Sequence, residues 1–203
     1  MNVEKYLDAR NLKLPARAKT PLPTSYRPEI DTTPALNPSD AAQYQSLIGI
    51  LRWIVELGRN DMCCEVSMMS SHLALPREGH LDRVYHIFAY LKSHHNAEVV
   101  YDPTEPFIDE SLFDRKDWST SEMSGKGTEE LPETMPMPRG QGFVTRAYVD
   151  ADHASETITR RSRTGFMVFL NGAPIHTVSK KQTSVETSSF GSEFTAMKHC
   201  TEY

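Results

Sequence analysis

The spacing of apolar residues changes along the chain, and each spacing predicts a different element. Tyr44, Leu47, Ile48, Leu51, Ile54 and Val55 recur at three- and four-residue steps, which predicts one helix. Asn37 or Ser39 caps it, Pro38 suits its first turn, and Gly58 is placed to end it. A second helix is predicted from Asp61 to Leu73, burying Met62, Val66, Met69 and Leu73, with Pro76 closing it. A third runs from about Gly79 to Leu91 with Leu81, Val84, Tyr85, Phe88 and Leu91 inward. Three amphipathic helices can bury one another's stripes, so a small helical bundle is expected. Val99 to Tyr101 read as a short strand.

From Phe143 the period becomes two. Tyr148 to Asp150 predict a strand, and Gly165–Leu170 and Pro174–Ser179 predict two more, joined by Asn171-Gly172. Asn-Gly between two apolar runs is the strongest local signal for a hairpin. Ser188 or Ser189 caps a last helix, with Phe194, Met197 and Thr201 on one face and Glu193 near its start.

The remaining segments resist regular structure. Residues 1–36 hold a short helical pattern near Val3 to Ala9. Pro15, Pro21, Pro23, Pro28 and Pro34 follow, which suits an extended strap. Residues 103–142 are rich in Ser, Thr, Pro and Met and read as a disordered acidic linker. Residues 103–138 carry nine acidic side chains against three basic ones, more than the whole net charge of −5. The acidity therefore belongs to the linker, and the flanking regions are free to meet a phosphate backbone. Three cysteines, two of them adjacent, make no disulfide framework, which points to a reducing compartment. No apolar run reaches the roughly 18–20 residues of a membrane span, and Met1 to Arg10 lack the apolar stretch of a secretory signal. The chain stops at Tyr203 within a helical pattern, so truncation is expected.

Candidate chemistry gathers in the last quarter. Asp150 ends an apolar strand and Asp152 follows two residues on, so period two puts both on one face with Tyr148. A strand carboxylate turned toward a core is costly unless paired or bound to a metal. If the last helix crosses the sheet, Glu193 can approach Asp150. Convergent carboxylates suit Mg²⁺, and two such ions about 3.5–4 Å apart can activate water and stabilise a leaving oxygen. A bland alternative stands beside this: D-x-D motifs are often exposed edges, and a Glu in a first turn often serves the helix dipole. His72, His80, His86, His94 and His95 with Cys63 and Cys64 fit no common zinc spacing.

Several blocks occur in order: Tyr148-Val149-Asp150-Ala151-Asp152-His153-Ala154, Arg160-Arg161-Ser162, Thr164-Gly165-Phe166, Ser179-Lys180-Lys181-Gln182, Ser188-Ser189 and Ser192-Glu193-Phe194. Together they resemble the ribonuclease H domain of copia-type LTR retrotransposons. Upstream, Tyr44 to Leu51, Gly58-Arg59-Asn60-Asp61, Pro76 with His80, and Ala89-Tyr90-Leu91-Lys92 resemble the segment after that family's polymerase palm and thumb. The resemblance covers roughly residues 15–102 and 143–203. It implies an α+β chain: a small helical, connection-like subdomain over 37–102, then the N-terminal half of a ribonuclease H-like α/β domain over 143–203. Asp150 and Glu193 would be metal ligands for two Mg²⁺ ions, with Mn²⁺ as a substitute. Asp152 would be a supporting position, and two further Asp residues would lie beyond Tyr203. His153 stands where the family commonly has Trp, and Gly191 where it commonly has Glu. Ala151 separates the two Asp residues, so this is not the Tyr-x-Asp-Asp signature of a polymerase site.

The resemblance further implies an RNA–DNA hybrid or template–primer duplex as partner, an upstream polymerase palm in the same polyprotein, and an intracellular setting, whether cytoplasm, virus-like particle or nucleus. Arg160, Arg161, Arg163, Lys180 and Lys181 surround the expected sheet and either meet phosphates or solvate a hairpin. A catalytically incomplete relic that at most holds a duplex is the alternative reading.

Overall fold

The computed structural model describes residues 18–112, 132, 134–135 and 143–203. The helical pattern expected at Val3 to Ala9 and most of the expected linker lie outside these residues. The described chain is mixed α and β: three helices, then a three-stranded antiparallel sheet and a fourth helix.

Helix α1 spans Pro38–Glu56 and buries Tyr44, Leu47, Ile48 and Leu51. The Asn37 side chain accepts a hydrogen bond from the Asp40 N–H, satisfying one orphan donor of the first turn, and Pro38 sits where its missing N–H costs nothing. Gly58, at φ +114°, follows the helix in a conformation that disfavours any side chain. A 3-10 turn at Asn60–Met62 then leads into α2, Cys63–Ser70, which is shorter than the sequence pattern predicts. Helix α3 spans Glu78–Ser93 and buries Val84, Tyr85, Ile87 and Phe88. The inward stripes of the three helices, with Met62, Val66 and Met69, form a large apolar core cluster among the described residues.

Residues 18–36 are bound to this core. Leu22 joins it, and Pro28 is buried. Ala35 bridges Arg77, and buried His80 ties the strap to the start of α3. Its Nδ1 accepts the Arg77 N–H at 3.1 Å, so its Nε2 donates to the Pro28 carbonyl at 2.9 Å. The strand expected at Val99 to Tyr101 does not form: Val100 and Tyr101 are exposed, with no partner strand to satisfy an extended backbone.

Strands β1 (Thr145–Asp152), β2 (Arg163–Leu170) and β3 (Ala173–Lys181) pair in sequence order. Asn171 turns the β2–β3 hairpin at φ +53°. Its side chain accepts from the Val144 N–H and donates to the Pro103 carbonyl, so it also fastens the incoming chain. Helix α4 spans Ser189–Thr201, capped by Ser188 accepting from the Gly191 N–H. It packs on β1 and β2 through Ser192 and Ala196. That reverses the expected face, because Phe194 and Met197 point to solvent. Small side chains at 192 and 196 let the helix lie close to the sheet, which the bulkier pair would not.

Candidate functional site

Register decides where the carboxylates of β1 lie. Asp150 pairs with Gly165, which pairs with Ser179; Ala151 pairs with Thr164, which pairs with Lys180. Residues paired across antiparallel strands share a face. Thr164 and Phe166 look toward α4: Gln182 Nε2 donates to Thr164 Oγ1 and to the Ser192 carbonyl, and the Phe166 ring lies 5.4 Å from that of Tyr203. Arg163 and Ser179 look the other way, toward α2, where Arg163 donates to Ser67 Oγ at 2.7 Å. Asp150 and Asp152 share this second face and are exposed. They border an open groove of about 410 Å³ that Asn60, Cys63 and Cys64 also line.

Glu193, the fifth residue of α4, is half-buried beside the Ser192–Ala196 stripe. It therefore issues from the helix that covers one face, while Asp150 leaves β1 on the other. Among the described residues no group of three His, Cys, Asp or Glu side chains is placed to hold a metal ion. Of the histidines considered for zinc, His72 and His80 lie with ring centroids 4.5 Å apart, but among the described residues they are not part of a group of three that could hold a metal.

The five candidate phosphate-binding cations fall into two groups. Arg160 and Lys180 are exposed. Arg163 is engaged with Ser67, and Lys181 pairs with Glu156 at 2.9 Å. Arg161 is half-buried in a narrow polar pocket with Arg27, Glu29, His72 and Glu156. Burial alone would raise the Glu156 carboxyl, but the Thr159 hydroxyl and Lys181 hold it below its ordinary range. Glu29 behaves alike: partial burial opposes ionisation, and the Thr157 N–H and hydroxyl outweigh it. His72 is driven down to about 4, first by burial and then by the neighbouring His80 and Lys181.

A polar core under α4 escaped the sequence pattern. Ser162, Thr164, Gln182 and Ser192 are all at most 1% exposed. Ser162 Oγ accepts the Ala154 N–H, and His153 Nδ1 lies 3.2 Å from Ser192 Oγ. A search for alternating apolar residues passes over such a core; its only trace was the ordered blocks that hold Ser162, Gln182 and Ser192.

No protein-family profile matches the chain. No solved structure matches it either. Three curated proteins do, at low identity. The retrovirus-related Pol polyprotein from transposon RE2 of Arabidopsis thaliana is 24% identical over 175 residues, 86% of this chain. That from transposon RE1 of the same plant is 23% identical over 172 residues, 85% of this chain. The secreted RxLR effector protein 161 of Plasmopara viticola is 24% identical over 159 residues, 78% of this chain and 87% of the effector. The chain spans 9% of the length of each Pol polyprotein. On these matches it is Pol-like, similar to a short stretch of a retrotransposon polyprotein.

Proposed function

We propose that the chain is a piece of a copia-type Pol polypeptide, joining the end of the reverse transcriptase to the first half of its ribonuclease H domain. One observation supports this most. An antiparallel β1-β2-β3 sheet is followed by a helix packed on β1 and β2, with Asp150 on the first strand and Glu193 as the fifth residue of that helix. Strand, hairpin and helix carry the ordered blocks of the resemblance in the expected sequence. The longer polypeptide copies RNA into DNA and hydrolyses the RNA strand of the hybrid. The resemblance assigns Asp150 and Glu193, with Asp152 in support, to that polypeptide's Mg²⁺ or Mn²⁺ site; in this structure the two leave the sheet on opposite faces and do not form it.

Alone, the 203-residue chain is expected to be inactive, because among the described residues no group of three His, Cys, Asp or Glu side chains converges to hold a metal. Exposed Arg160 and Lys180 are its available contacts to a duplex backbone. The test is cleavage of an RNA–DNA hybrid in Mg²⁺ by the chain and by its Asp150→Asn form, with hybrid binding measured across a salt series. Equal, background-level cleavage is expected, with weak, salt-sensitive binding that falls when Arg160 and Lys180 become Ala. Cleavage abolished by Asp150→Asn would show a complete site in this chain. Binding indifferent to both cations would remove the duplex as partner.

A further inference from the structure

Gly165 is out of place by local rules. It lies inside β2, the central strand, where a glycine weakens the sheet and has no side chain to pack. Three reasons keep a glycine in such a place: a positive φ, a bulge, or the close approach of another group. The first two fail here. Among the described residues Gly58 is the one glycine at positive φ. The register runs evenly through Asp150, Gly165 and Ser179, and the shift in β2 lies further on, at Val168/Phe169. Nor does the chain itself come close. A Cβ at 165 would meet no described atom nearer than the Asp150 carbonyl oxygen, at 3.9 Å. The close approach that remains is that of a group from outside. Gly165 lines the open groove of about 410 Å³ between the sheet and the start of α2.

We propose that this groove binds a small planar cation with an apolar body, of the aryl-amidine or aromatic-amine class. Its volume falls in the range of about 300–1,000 Å³ typical of small-molecule sites. Met167 and the Tyr148 ring, set edge-on to Phe169 at 5.6 Å, give an apolar wall beside the bare backbone of Gly165. A flat ring can rest on that backbone where a side chain at 165 would block it. Charge selects the sign of the ligand. Asp150 and Asp152 are exposed at the rim, and neither side chain has a hydrogen bond or ion pair with a described residue. Arg163 also lines the groove, but its guanidinium donates to the Ser67 and Ser179 hydroxyls. Two carboxylates against one guanidinium leave the rim negative. Asp150 is the cross-strand partner of Gly165, so a cation lying over the glycine sits beside that carboxylate. This inference stands apart from the proposed function, since it uses only the groove, its glycine and its charges.

The probe is benzamidine, titrated into the full chain and followed through its backbone amide NMR spectrum, with EDTA present so that no divalent ion competes. Benzoate and benzamide serve as anionic and neutral controls of similar shape. Benzamidine is expected to shift the amides of Gly165 and its strand partners saturably, with a dissociation constant of about a millimolar. Gly165→Val fills the groove with a side chain that suits a strand, and should weaken binding roughly tenfold. Asp150→Asn with Asp152→Asn keeps the groove open and removes its charge, and should weaken binding by roughly the same factor. The second variant changes only exposed side chains, so it remains informative if the first disturbs the sheet. No saturable shift at Gly165 overturns the inference. So does benzoate or benzamide binding as tightly as benzamidine, or a carboxamide variant that binds as tightly as the wild type.

Discussion

The helical unit and the sheet unit are stabilised by different means. The first encloses aliphatic and aromatic side chains: Tyr44, Leu47, Ile48, Leu51, Met62, Met69, Val84 and Ile87 are at most 1% exposed. The second encloses mainly small or polar ones. Beneath α4 lie Ala151, Ala196, Thr164, Gln182 and Ser192, with Phe166 the one large apolar side chain fully covered. Val149, Met167, Val168, Phe169, Leu170 and Val178 are only half-buried, and Tyr148, Ile158, Ile175, Phe190, Phe194 and Met197 are all more than half exposed. Burial of apolar area is the main driving force for folding. The helical unit therefore holds most of that force, and the sheet unit depends on specific hydrogen bonds and on docking to its neighbour.

The sharpest way to break this comparison is to delete the same kind of group from each unit. Leu51→Ala removes a fully buried side chain and should cost about 2–5 kcal/mol in urea unfolding. Phe194→Ala removes a larger side chain that is 60% exposed and should cost no more than about 0.5 kcal/mol. A large loss from Phe194→Ala would mean that something covers α4 in solution and that the sheet unit has an apolar core after all.

A middle-sized effect is expected at Gln182. Its amide nitrogen joins β2 to α4 through Thr164 Oγ1 and the Ser192 carbonyl, at 3.1 and 2.9 Å. Gln182→Ala leaves both acceptors buried without that donor, which should cost about 1–3 kcal/mol. Hydrogen exchange should rise first in α4, because its first turn loses its tie to the sheet. If exchange rises evenly over both units, they unfold together and the division between them is not energetic.

How much of this was legible beforehand follows the same division. The three helices, the Asn37 cap and the inward stripes were readable because apolar periodicity is the signal of an apolar core. The hairpin was readable from Asn171-Gly172. The packing face of α4 was not: the rule that bulky apolar residues point inward chose Phe194 and Met197, whereas close approach to the sheet favoured Ser192 and Ala196. The isolated strand at Val99 to Tyr101 failed because strand propensity forms no ladder without a partner. At the candidate site, period two correctly put Asp150 with Asp152. The relation of that face to Glu193 depends on which side α4 covers, and that is fixed by tertiary packing.

The smallest predicted effect tests whether the units stay docked. His72 lies in the pocket where the strap, α2 and the β1–β2 loop meet, and its folded pKa is about 4 against an ordinary 6.5. Above pH 6.5 the ring is neutral whether the chain is folded or not, so it does not affect stability. As the pH falls below 6.5 the unfolded chain takes up a proton that the folded chain refuses. Stability therefore declines down to pH 4 and levels off below it. The ring is partly exposed, so the loss by pH 5 should be on the order of 1 kcal/mol. Glu29, Asp31 and Glu156, whose carboxyls are held low, lose their stabilisation only in a more acidic window. Glu65, whose carboxyl burial pushes up, acts in the opposite sense as the pH falls, so His72 is read from the difference between wild type and His72→Gln, which should decline less from pH 6.5 to 5. An NMR titration of the same ring reads the docking directly. A midpoint near 4 means that the sheet unit, which lacks a large apolar core, is held against the helices in solution. A midpoint near 6.5 means that the contact at Lys181 and Glu156 opens and the two units behave independently.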